Sequence, residues 1–181
     1  YLAGSANNLI TGNLFQNFLS TGVLLGYCSE YNTVSNNRMV RPTTATRPTG
    51  GGQAAIFSGL GSSHNHIVNN YIDAEVFYGV LITAGSSFNR VESNNLKNYF
   101  VAGISIQSDY QNPNPTNAVY NISGSVAPST VAPGETEWAF LDCADNEIVN
   151  NTIGDTADAR SGPAIYLSMT EGWSGSNGKN V

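Results

Sequence analysis

The chain has 181 residues, enough for one compact domain or for one stretch of a longer repeat array. Charged residues make up only 11%, yet 10% are aromatic, a combination that speaks against disorder. A net charge of −6 excludes the concentrated positive field of a nucleic-acid groove, and no apolar run reaches the roughly 18 residues of a membrane span.

The 23 Asn and 19 Gly residues require frequent turns, because both tolerate left-handed backbone. Tyr1 stands in what reads as mid-repeat, so the chain is expected to be an excerpt of a longer protein, and the lack of a leader carries no weight. The first unit opens at Asn8 with the pattern Asn-x-[Ile/Val]-x-x-Asn-x-apolar, here Asn8, Ile10, Asn13 and Phe15. The pattern returns at Asn32 (Val34, Asn37, Met39), Asn65 (Ile67, Asn70, Ile72), Asn89 (Val91, Asn94, Leu96) and Asn146 (Ile148, Asn151, Ile153). A second apolar pair, Val23 and Leu25, lies between the first two starts; Ile56 and Ser58, then Val80 and Ile82, keep its offset of nine residues before the next Asn. Ile104 and Ile106 fill the place in the fourth unit, and Ile165 and Leu167 in the fifth. Gly22, Gly79 and Gly103 stand just before the pair.

Apolar residues two apart mark short strands, and the spacing does not keep the helical period of 3.6. Stacking such units predicts an all-β fold, a right-handed parallel β-helix of about five or six rungs, with 1–181 as a single segment. Three inward columns follow, headed by Ile10, Phe15 and Val23. The Asn13, Asn37, Asn70, Asn94 and Asn151 column is expected to form an amide ladder up the stack. Gly12, Asn36, Asn69, Ser93 and Asn150 precede its members and suit a tight left-handed bend.

Two stretches interrupt the coil. Residues 41–53 are rich in Pro and Gly and read as a loop insertion; residues 109–137 form a second, either an irregular extra rung or a side hairpin. Cys28 and Cys143 fall near one corner but three rungs apart, roughly 14 Å at about 4.8 Å per strand. A disulfide needs Cα atoms within about 7 Å, so two free, buried thiols are expected.

At these motifs the chain resembles the right-handed parallel β-helix superfamily, which includes pectate-lyase-like lyases, polygalacturonase-like glycosidases, mannuronan epimerases and phage tailspikes. The resemblance covers nearly the whole chain as a pattern and carries no family-specific catalytic motif. It implies a virion-tail or extracellular setting and a polysaccharide partner lying along the coil. The tailspike branch further implies a homotrimer of side-by-side helices and a host-glycan depolymerase. A secreted bacterial lyase, hydrolase or epimerase, and a non-catalytic adhesive solenoid, remain open beside it.

The candidate constellation lies after the ladder strand. Asp73 and Glu75, two apart on an extended stretch, are expected on one side. They are the candidate catalytic pair, as acid and base of a glycosidase. Lys97 and Tyr99 are expected one rung further, and Arg41 and Arg47 near the other flank. With Trp138 these are the candidate substrate-binding residues; a cation beside Tyr could instead hold a uronate for a lyase. The bland alternative is an Asp–Lys pair on a solvated face. Leu24, Phe57, Leu81 and Ser105 form an outward row, read as a contact with a neighbouring subunit or with the long insertion. His64 and His66 lack a third ligand for zinc, and Asp142, Asp145 and Glu147 lack EF-hand spacing, so neither metal nor cofactor is called for.

Overall fold

A computed structural model describes residues 1–18, 20–40, 54–107, 109–111, 139–141, 143–154 and 162–168. In chain order the strands are β1 (Leu2–Ala3), β2 (Leu9–Thr11), β3 (Leu14–Gln16), β4 (Val23–Gly26), β5 (Thr33–Ser35), β6 (Arg38–Val40), β7 (Ala54–Ser58) and β8 (His66–Val68). There follow β9 (Tyr71–Thr83), β10 (Arg90–Glu92), β11 (Asn95–Gln107), β12 (Asp109–Gln111), β13 (Ala139–Leu141), β14 (Glu147–Val149), β15 (Thr152–Ile153) and β16 (Ile165–Ser168).

The coil is a right-handed parallel β-helix, as the repeat demands. Five rungs open at Asn8, Asn32, Asn65, Asn89 and Asn146, and their motif strands pair in parallel. One face stacks β2, β5, β8, β10 and β14, which puts Ile10, Val34, Ile67, Val91 and Ile148 in register. A second stacks β3, β6, the first half of β9, the first half of β11, and β15, aligning Phe15, Met39, Ile72, Leu96 and Ile153. A third stacks β1, β4, β7, the second halves of β9 and β11, and β16, aligning Val23, Ile56, Val80, Ile104 and Ile165. In rungs three and four the second and third faces run on as one 13-residue strand. The inward columns of the middle rungs are fully buried and make one core.

The corners explain the asparagines. Gly12, Asn36, Asn69, Ser93 and Asn150 all have positive φ, between 53° and 68°, as their small or amide side chains allow. The next residue then builds the expected ladder. Asn37 donates its backbone N–H and its Nδ2 to Asn70 Oδ1, each at 3.0 Å, and Asn70 does the same to Asn94 Oδ1. A second Nδ2 bond ties Asn70 back to the Val34 carbonyl at 2.8 Å. A buried amide so placed leaves no donor or acceptor unmet, and burial costs it little.

A second ladder, not foreseen as one, runs through the first asparagine of each motif, Asn8, Asn32, Asn65, Asn89 and Asn146, with the same bonds. Three residues earlier, Ser29 N–H donates to Ser62 Oγ and Ser62 N–H to Ser86 Oγ. Cys143 holds the corresponding position in rung five. It is buried, as expected, while Cys28 is only half-buried; neither is in a disulfide.

Residues 41–53 lie outside the described residues. At the second insertion β12 and β13 pair antiparallel; residues 112–138 between them lie outside the described residues. The outward row, read as a contact with a neighbouring subunit or with the long insertion, is not uniform. Leu24 and Phe57 are half-buried, but Leu81 is 3% exposed and Ser105 0%, so that end of the row is covered within the chain itself.

Candidate functional site

The second face carries a polar cluster on the outside of the coil. Along β9 the inward residues Ile72, Ala74 and Val76 alternate with Tyr71, Asp73 and Glu75, so both carboxylates point outward from one strand. The register sets Arg38 beside Tyr71 from the rung before, and Lys97 beside Asp73 from the rung after. The Arg38 guanidinium lies 5.3 Å from the centre of the Tyr71 ring and Lys97 Nζ lies 5.9 Å from it. Tyr71 thus sits between two cations contributed by opposite neighbours, an arrangement favoured by the ring quadrupole.

Asp73 is held on both oxygens. Tyr71 donates its hydroxyl to Oδ2 at 2.9 Å, and Asn98 donates Nδ2 to Oδ1. The bond to Asp73, with burial and the Asp73 charge, raises the Tyr71 hydroxyl pKa above its ordinary value, and Arg38 opposes the rise. Beside Tyr71, Asn95 Oδ1 is buried and accepts no hydrogen bond from the described residues.

Tyr99 corrects the expected geometry. A uniform register would have placed it against Glu75, facing out. The register instead shifts between Lys97 and Tyr99, and Tyr99 pairs with Val76, an inward residue. A slip of one residue turns a side chain to the other face, and Tyr99 is accordingly 4% exposed. A compensating shift before Ala102 restores the register with Tyr78. Asn98, at φ 56°, lies in the irregular stretch and donates to Asp73. Arg38, Tyr71 and Asn98 were not singled out by sequence reasoning. Arg38 and Tyr71 were legible as the position after the ladder asparagine; Asn98 depends on the register shift. Arg41, Arg47 and Trp138 lie outside the described residues.

A second charged cluster lies on the first face. Arg90 donates Nε to Glu92 Oε2 at 2.8 Å and also pairs with Glu147 in the next rung. His66, from the rung before, lies with Nε2 3.1 Å from the same Glu92 oxygen. The Arg90 bond, helped by His66, holds the Glu92 carboxyl down at about 2 against the opposing effect of burial. Near it, the rings of Tyr31, His64 and Phe88 stack almost parallel at 4.9 and 5.0 Å, each at positive φ just before a ladder asparagine.

Stacked parallel rungs with self-bonded asparagine corners and a polar outer face define a parallel β-helix solenoid. The family model described as "Periplasmic copper-binding protein (NosD)" matches residues 1–129, and the chain belongs to that family. No curated protein and no solved structure matches it.

The copper in that description can be tested against the donors present. Copper prefers thiolate, thioether and imidazole. Met39 is fully buried in the core. The Cys143 thiol donates to the Gln107 carbonyl at 3.4 Å and the Cys28 thiol to the Leu60 carbonyl at 3.7 Å. His64 is stacked between two rings and His66 faces Glu92. Among the described residues no three His, Cys, Asp or Glu side chains gather where they could hold a metal, so these residues do not fit a copper site.

Proposed function

We propose that this coil recognises carbohydrate on the outer side of a cell membrane, binding a glycan along its second face without cleaving it. The observation that carries the reading is the Arg38–Tyr71–Asp73–Lys97 cluster, spread over three successive rungs of a rigid surface. A solenoid offers a ligand the same strand at each step, and a linear glycan is a ligand that can follow it. Cations, a carboxylate and amides supply the oriented polar groups that fix sugars, and the half-buried Phe77 and Phe100, 6.4 Å apart, add apolar surface on the same strands.

Binding is favoured over cleavage by the state of Asp73. A general acid or base must be free to exchange its proton with the substrate. Both Asp73 oxygens already accept bonds from neighbours, which suits a fixed acceptor better than a proton carrier. The periplasmic setting in the family's description supports the compartment. The tailspike, virion and homotrimer readings rest on the superfamily resemblance alone, as do the secreted lyase, hydrolase and epimerase.

Calorimetric titration against a panel of neutral and acidic oligosaccharides tests the reading. Binding to at least one glycan is expected, with no release of reducing ends or unsaturated uronate on prolonged incubation. A panel that is silent throughout removes the proposal; product that disappears in Asp73→Asn or Glu75→Gln replaces it with a depolymerase.

A further inference from the structure

The second face does more than mix charges; their sign changes from one rung to the next. Rung two presents Arg38, rung three presents Asp73 and Glu75, and rung four presents Lys97. Rungs follow one another at about 4.8 Å, so the two cations belong to rungs about 9.6 Å apart with acid between them. An extended pyranose chain advances about one rung per sugar. By register Arg38 stands beside Tyr71, and Lys97 beside Asp73, one outward position to the side. A glycan crossing the rungs obliquely from Arg38 to Lys97 therefore meets positive, negative and positive surface on consecutive sugars.

Resting on the glycan-binding reading above, we propose that the ligand is an acidic polysaccharide bearing its carboxylate on every second sugar. The two carboxylates pair with Arg38 and Lys97. The intervening neutral sugar donates its hydroxyl or amide hydrogens to Asp73, whose oxygens each accept one bond already and retain a further lone pair. A chain charged on every sugar would press a carboxylate against Asp73 and Glu75, and like charges brought together at a contact cost affinity. A neutral chain would leave both cations without a counter-charge. The Tyr71 ring holds both cations beside the acid, Arg38 at 5.3 Å and Lys97 at 5.9 Å from its centre.

Size-matched oligosaccharides of hyaluronan, polygalacturonate and dextran, titrated at low salt into the whole chain, separate the possibilities. Hyaluronan, with one carboxylate per disaccharide, is expected to bind at least about tenfold tighter than polygalacturonate, with dextran weakest and the difference shrinking as salt rises. Arg38→Gln and Lys97→Gln should each weaken hyaluronan by about tenfold without moving the thermal midpoint, while Asp73→Asn should bring polygalacturonate closer to hyaluronan. Polygalacturonate or dextran binding as tightly as hyaluronan, or indifference of hyaluronan binding to both cation variants, overturns the alternation and leaves glycan recognition standing. Silence towards all three overturns both.

Discussion

The asparagine corners and the middle of the two long strands obey opposite rules. At the corners every rung repeats the same residue, the same left-handed bend and the same bonds, and the inner amides are about 1% exposed or less. Along β9 and β11 the register shifts twice within a few residues, and the outward side chains differ from rung to rung. Repetition serves stability, because a stacked amide is satisfied only by its own kind above and below. Variation serves recognition, because a ligand can distinguish rungs only where they differ.

The largest effect should come from breaking the ladder in mid-stack. Asn70→Ala removes the acceptor of two Asn37 donors and the donor to Val34, all buried. A loss of about 3 kcal/mol is expected from stranding those groups. At this chain length it would lower the melting temperature by roughly 6–12 °C. Asn13→Ala, at the exposed end of the same ladder, should cost under about 1 kcal/mol, since water can replace what is lost. Equal costs would show that the ladder does not act through burial.

Next comes the close approach at the third face. A Cβ on Gly79 would stand 2.5 Å from both the Gly103 carbonyl oxygen and Leu96 Cδ2, whereas one on Gly154 would meet nothing nearer than Lys97 Cγ at 3.4 Å. Gly79→Ala should cost about 1–3 kcal/mol in chemical denaturation, as overpacking does, and Gly154→Ala much less. Matching midpoints for the two would contradict the packing described.

The smallest effect is a pH dependence on the first face. The folded Glu92 carboxyl is held at about 2, below its ordinary 4.5. The native state therefore binds the proton more weakly than the unfolded chain does. The contribution to stability is complete above about 4.5 and is lost as the pH falls through about 2. Glu92→Gln should lower the melting temperature slightly at neutral pH, where the contribution is complete, and flatten its decline across that window. An unaltered acid limb in the variant would remove Glu92 from the account.

Five occurrences of one motif sufficed to read the rungs, the inward columns, the left-handed corners and the Asn13-to-Asn151 ladder, because each is a local pattern that recurs at nearly constant spacing. The parallel partner ladder, from Asn8 to Asn146, was equally visible as a column; what hid it was that its preceding residues, Tyr31, His64 and Phe88, are not types that usually adopt positive φ. Asp73, Glu75 and Lys97 could be placed on the outer face by counting alone. Tyr99 could not, since counting assumes an even register.

The amino-acid sequence by itself determined that the chain coils and which residues turn inward, because burial in a stacked rung depends on alternation that every unit carries. Only the tertiary structure decided that Tyr99 is buried, that Asn98 donates to Asp73, and that Tyr71 lies between Arg38 and Lys97. Those outcomes depend on how neighbouring rungs slip against one another, a property of the pairing between strands and of no single strand.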